Sequence, residues 1–359
     1  MAFFCTSETV TAGQRTSGDR RRLARMMTFV LSAVLVLLIL LSLGWGAASD
    51  TQVLRALFGL EGATLRDTTI VWDIRMPRVL TGVFVGAALA VSGAVMQGLF
   101  RNPLADPGLI GVSAGAAFGA VVAIVLGGAA PLWIQASLGY YMVPLAAFFG
   151  GWVTTMLLYA VATNGGRTSV ATMLLAGIAL GALTGALTGI LTYYATDEEL
   201  RDLTFWGLGS VAAATWSKFW SSVPLIALCL IVAPFMARSL NALALGEAAA
   251  AHMGIHVQKM KNIAILTVAG SVGAAVAVTG GIGFVGIVVP HLLRLIQGPD
   301  HHGLLVNCAL LGAIMLLLAD AVSRTVIAPA EMPIGIITAI IGGPFFLWIL
   351  LRNRSLVDL

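Results

Sequence analysis

The chain has 359 residues, 59% of them hydrophobic and only 10% charged, with a formal charge of +4. Soluble domains carry about 25% charged residues; this chain lacks the polar surface a soluble protein of its length needs, so lipid must solvate much of it. The basic residues are scattered between apolar runs and form no stripe, which fits membrane topology and argues against nucleic acid as a partner.

Residues 1–25 are polar and rich in Ser, Thr and Arg, ending in Arg20, Arg21, Arg22 and Arg25. They read as a disordered cytoplasmic tail, with Met26 or Met27 as an alternative start. A cleaved signal peptide competes with that reading. The apolar run from Met26 to Gly46 is about 20 residues, longer than a signal h-region and long enough to span, so a retained first span is favoured.

Breaks at Gly, Pro and charged residues place further spans at 79–99, 108–128, 141–162, 170–194, 219–237, 262–280, 281–297, 303–323 and 334–351. The expected fold is therefore an all-α integral membrane protein, with one domain of ten transmembrane helices over 26–359. Thr279-Gly280-Gly281 alone separates the seventh and eighth spans, so nine remains an alternative. With the N- and C-termini both inside, 13 of the 20 Lys and Arg residues face the cytoplasm, as the positive-inside rule requires. These include Arg101, Arg167, Arg238, Lys259, Lys261, Arg294, Arg352 and Arg354.

Glycines recur every fourth position twice, at Gly111, Gly115 and Gly119 and again at Gly177, Gly181, Gly185 and Gly189. That spacing puts each set on one helical face, where backbones can approach closely. Plain helix packing explains such a face; so does a conduit or subunit interface lined by the fifth span.

No Asp, Glu, Lys or Arg falls near the centre of any expected span, whereas ion-coupled transporters need ionisable groups there. A self-contained secondary transporter or channel is accordingly the weaker alternative. No P-loop sequence occurs, so any ATP hydrolysis belongs to another chain and no catalytic residue is assigned here. Residues 238–261 read as a short helix around Gly246-Glu247, a stop at Gly254 and a second short turn. Such a segment suits either docking on a cytoplasmic partner or a plain connecting loop. His252 and His256 lack a third ligand, and His301 and His302 likewise, so no metal site or cofactor is expected. Cys5, Cys229 and Cys308 are far apart and fit neither a disulfide framework nor a metal site.

The stretch IRMPRVLTGVFVGAALAVSGAVMQGLFRNPLADPGLIGVSAGAAFGA (74–120) resembles the signature region of the iron-siderophore, haem and vitamin B12 permeases of ABC importers. GGIGFVGIVVPHLLR (280–294) and LADAVSRTVIAPAEMPIGIITAIIGGPFFLWILLR (318–352) resemble the same family further along. The resemblance implies a homodimer of ten-span subunits in the bacterial inner membrane with the conduit between them, two cytoplasmic ATP-binding subunits, and a periplasmic substrate-binding protein. It further implies that Arg75, Arg78 and Arg324 receive acidic side chains of the binding protein. Snorkelling at the interface is the competing account of Arg75 and Arg78, and an i, i+4 pair with Asp320 that of Arg324.

Residues Gly246, Glu247, Ala248, His252, Met253 and Gly254 are the expected ATPase-coupling segment. Where the family pattern resembles G-E-E-A-A-R-S-L-G, this chain lacks the second acid and the basic residue, so the contact should be more apolar than usual. The segment TDEELRDLTFWGLGSVAAATW (196–216) is most similar to the haem permeases, with ferric siderophore and cobalamin as alternatives. No haem-ligand motif accompanies it, and Tyr193 and Tyr194 fit an interfacial aromatic belt.

Overall fold

The computed structural model describes residues 17–44, 52–62, 64–165, 167–328 and 330–352. Polar residues between the apolar runs act as helix caps, which is why helices begin where they do. Helix α1 spans Ser17–Gly44, taking in the arginines before Met26, because Arg is a good helix former and no breaker intervenes. The rest of the expected tail, 1–16, lies outside the described residues. After the short α2 (Val53–Phe58), Thr64 and Asp67 form a reciprocal capping box that opens α3 (Leu65–Thr69). A π-helical turn at Ile70–Arg75 carries the chain into α4 (Met76–Phe100).

Asp106 accepts from the Gly108 N–H at 2.7 Å and caps a 3-10 turn leading into α5 (Val112–Leu126). The helices α6 (Leu132–Leu138) and α7 (Met142–Ala162) follow, then a hairpin pairing β1 (Thr163–Asn164) with β2 (Arg167–Thr168). Ser169 caps α8 (Val170–Tyr194), and a second capping box at Thr196 and Glu199 opens α9 (Asp197–Leu208). Three acids in the first turn of α9 complement its helix dipole.

Thr215 caps α10 (Trp216–Val232). The remaining helices are α11 (Ala237–Leu243), α12 (Glu247–His252), α13 (Val257–Thr279), α14 (Val285–Gln297), α15 (His301–Ser323) and α16 (Ile334–Arg352). Every expected span therefore has a helix, but among the described residues eight are long and apolar enough to cross a membrane. The expected eighth span is represented by a shorter helix than the sequence suggested. Helix α14 has 13 residues, about 20 Å at 1.5 Å per residue, against a hydrocarbon core of about 30 Å.

Helix α4 forms the centre of the bundle. Its apolar window is 83% buried and that of α13 72%, against 11% for both α1 and α8. Lipid tails are as apolar as leucine, so such a centre is held by van der Waals packing and close backbone approach more than by transfer from water. A β-carbon on Gly86 would collide with the Gly312 carbonyl of α15, and one on Gly93 with the Gly286 carbonyl of α14.

Between α13 and α14 the backbone at 280–284 is not helical, and within the bundle its polar groups need protein partners. Ser210 N–H donates to Thr279 O at 2.7 Å, Gly281 N–H to Trp206 O at 3.4 Å, and Gly335 N–H to Gly209 O at 3.3 Å. The break is thus stitched to the end of α9, which in turn bonds the start of α16.

Candidate functional site

Helices α4 and α15 run antiparallel, so the start of α4 meets the end of α15. There the Arg78 guanidinium donates twice to Asp320 Oδ1, at 3.0 and 2.8 Å, and once to Glu331 Oε1 at 2.9 Å. Arg324 binds the other Asp320 oxygen at 2.5 Å. Arg75 donates to the Leu43 carbonyl at the end of α1 at 2.6 Å. The structure thus brings together the three arginines singled out in the sequence, but turns them inward. Arg75 and Arg78 are 5% and 7% exposed, which replaces interfacial snorkelling with a buried ionic knot tying α1, α4, α15 and residue 331. The i, i+4 pair of Arg324 with Asp320 is present.

Sequence reasoning missed the Arg78–Asp320 bond, which joins residues 242 apart. Its one legible signal was an Asp inside the apolar run LLLADAV. Glu331 is the accessible member, with its side chain 39% exposed.

The opposite end of α4 lies beside α12. Gly246, at φ +110°, precedes α12, and Gly254, at φ +81°, follows it. Both are in conformations that side chains rarely adopt, so two glycines set the limits of this one-and-a-half-turn helix. Ala250 is buried, while Ala248, His252, Met253 and Leu245 are exposed. Glu247 does not point outward alone. Its carboxylate accepts from the buried Lys261 of α13 at 2.7 Å, and Lys261 also donates to Thr168 O at 2.9 Å. One lysine therefore joins the short helix, a bundle helix and the hairpin between α7 and α8.

The glycine face of α8 is open. Gly177 sits against the Leu109 carbonyl, but a β-carbon on Gly181, Gly185 or Gly189 would meet nothing within 4 Å. Tyr193 and Tyr194, at the end of the same helix, are also exposed. A cavity of about 390 Å³ lies inside the bundle where the 280–284 break meets the Asp106 turn, with Ser113 and Gly207 on its wall. Among the described residues no group of three or more His, Cys, Asp or Glu side chains converges to hold a metal.

A helical, multi-pass bundle with a charged knot at one end, a short surface helix at the other and one open helix face is an integral membrane protein. Residues 33–352 match the FecCD transport family, and the chain belongs to it. It is 44% identical over 329 residues to the hemin transport system permease protein HmuU of Yersinia pestis, covering 91% of this chain and 96% of that one. It is 40% identical over 337 residues to the vitamin B12 import system permease protein BtuC of Citrobacter koseri, covering 94% and 97%. A metal-chelate type ABC transporter solved in an inward-facing conformation matches with a TM-score of 0.79 at 33% identity, over 91% of this chain and 99% of that one. This chain is thus the membrane-spanning permease subunit of an ABC importer of the bacterial inner membrane, and ATP hydrolysis lies in a separate subunit.

Proposed function

We propose that two copies of this chain form a ten-span-per-subunit importer, N- and C-termini inside, with the conduit between the copies lined by α8. The observation that carries this reading is the open glycine stripe. A helix 11% buried along its apolar window, with Gly181, Gly185 and Gly189 facing nothing among the described residues, has a surface shaped for close approach that those residues do not cover. Haem is the substrate this reading favours, supported by the identity to the hemin permease and by the character of residues 196–216. Cobalamin is the second reading, because the vitamin B12 permease is nearly as similar over slightly more of the chain.

The ATP-binding subunit would seat on α12 and its flanks, Gly246 to Gly254, with Met253 and Leu245 making an apolar contact. Such a contact depends weakly on salt. A periplasmic binding protein would dock over the arginine knot by carboxylate exchange, an incoming acid taking the place of Glu331 on Arg78. Arginine suits that exchange because its planar fork accepts a second carboxylate in the same geometry.

The test is uptake by proteoliposomes holding the permease and its ATP-binding subunits, offered haem, cyanocobalamin or a ferric siderophore with the cognate binding protein. ATP-dependent haem accumulation above the other two is expected; preference for cyanocobalamin would establish the second reading. Docking is tested separately. Glu331→Gln should tighten binding-protein association, and Arg78→Glu should weaken it. Unchanged affinity in both variants at low salt would remove the knot from the docking surface.

A further inference from the structure

At the α12 end of the bundle a second cavity, of about 440 Å³, opens between the first turns of α1 and the last turn of α14. Arg20 and Arg294 line it together with Leu23, Leu295, Ile296 and Gly298. Arg20 reaches over Gly298, its Nη1 within 3.3 Å of where a β-carbon would stand. The half-buried Arg294 hydrogen-bonds only neutral acceptors, the Gln97 side-chain oxygen and the Ala94 carbonyl. Among the described residues neither arginine has a carboxylate partner.

Asp300, the acid beside Arg21, is already committed. Asp300 caps α15, accepts from Asn241 at 2.7 Å and stands 3.9 Å from Arg21. Burial pushes its carboxyl up, but hydrogen bonds from His302 and Asn241 outweigh this and hold it at about 2. Among the described residues the cavity therefore holds two cations with no carboxylate on either. Leu295 and Ile296, 55% and 56% exposed, lie on its rim where α1 passes from its arginines into its apolar run.

Two unneutralised guanidiniums at a polar–apolar boundary, bordered by exposed aliphatic side chains, match an anionic phospholipid and not a free anion. The guanidiniums would take the phosphate, and the aliphatic rim the upper acyl chain. We propose that the cleft between α1 and α14 binds one anionic phospholipid through Arg20 and Arg294, clamping the peripheral α1 to the bundle. It would add to the packing of α1 on α15, where Thr28 donates to Asn307 Oδ1 at 2.7 Å and Asn307 Nδ2 to the Ala24 carbonyl at 3.1 Å.

The full chain, purified in zwitterionic detergent, would be titrated with phosphatidylglycerol and with phosphatidylcholine and read by native mass spectrometry. Retention of one phosphatidylglycerol per chain, without comparable phosphatidylcholine, is expected. Arg20→Gln should weaken retention roughly fivefold and Arg20→Lys should restore part of it. Arg22→Gln, which removes the same charge from the same helix but outside the cavity, should leave retention unchanged. Arg294→Gln should also weaken it; should that variant fail to fold because Gln97 loses its partner, Arg20→Gln decides. Glycerol 3-phosphate should compete only weakly. Equal retention of both lipids, or equal losses in Arg20→Gln and Arg22→Gln, would overturn the site. Binding of glycerol 3-phosphate as tight as that of the lipid would overturn the lipid as its occupant.

Discussion

Helices α5 and α8 both place glycines four residues apart, yet their surroundings are opposite. A β-carbon on Gly115 or Gly119 would strike Gly150, Thr154 or Ala146 of α7, whereas β-carbons on Gly181, Gly185 and Gly189 would meet nothing. In α5 the stripe lets two helices of one chain touch backbone to backbone. In α8 it is left over after the chain has packed itself. The same small-residue signature thus serves a bond already made and a bond still to be made, and the arrangement of the other helices decides which. The ionic groups divide similarly: the Arg78–Asp320 pair is made inside the chain, while among the described residues Arg20 and Arg294 have no carboxylate partner.

Substitutions can break this comparison, and their effects on stability should fall in a definite order. Asp320→Asn comes first. It removes the carboxylate that Arg78 and Arg324 share, leaving Arg78 with the half-exposed Glu331 as its carboxylate, at a cost of about 3 kcal/mol. Thermal unfolding in detergent would show it, and a variant as stable as the parent would mean the knot is not formed. Gly119→Leu follows at up to about 3 kcal/mol, because overpacking against the α7 backbone cannot relax through a flexible side chain. It should lose monodispersity on size exclusion; normal behaviour would contradict the close α5–α7 approach.

Glu247→Gln should cost about 1 kcal/mol, a modest value because the Glu247 side chain is 46% exposed and its ion pair partly screened. Its larger effect belongs to coupling: ATP hydrolysed per substrate moved should rise, since α12 loses its tie to α13 and the hairpin. An unchanged ratio would reduce Lys261 to a structural strut. Gly185→Leu should alter stability least, within about 0.5 kcal/mol, because the new side chain meets no neighbour and favours the helix. Transport should nonetheless fail, with the single chain still folded. Full uptake by Gly185→Leu proteoliposomes would show that the α8 stripe faces lipid, and the contrast with α5 would then lose its functional meaning.

By itself the sequence determined the solvent, the all-helical membrane class, and the family. These are local or cumulative properties: runs of apolar residues, stops such as Gly254, and long ordered motifs. It also singled out Arg75, Arg78 and Arg324 and the residues of α12. Tertiary structure alone decided that Arg78 is buried on Asp320, that Glu247 is held by Lys261, and that α14 is cut short at a stitched backbone break. Each joins groups far apart along the chain, and side-chain chemistry does not say which distant partner will arrive. The two glycine stripes show the limit most plainly. Four-residue spacing guarantees a smooth helix face, because that is geometry within one helix. Whether another backbone covers the face depends on where every other helix packs.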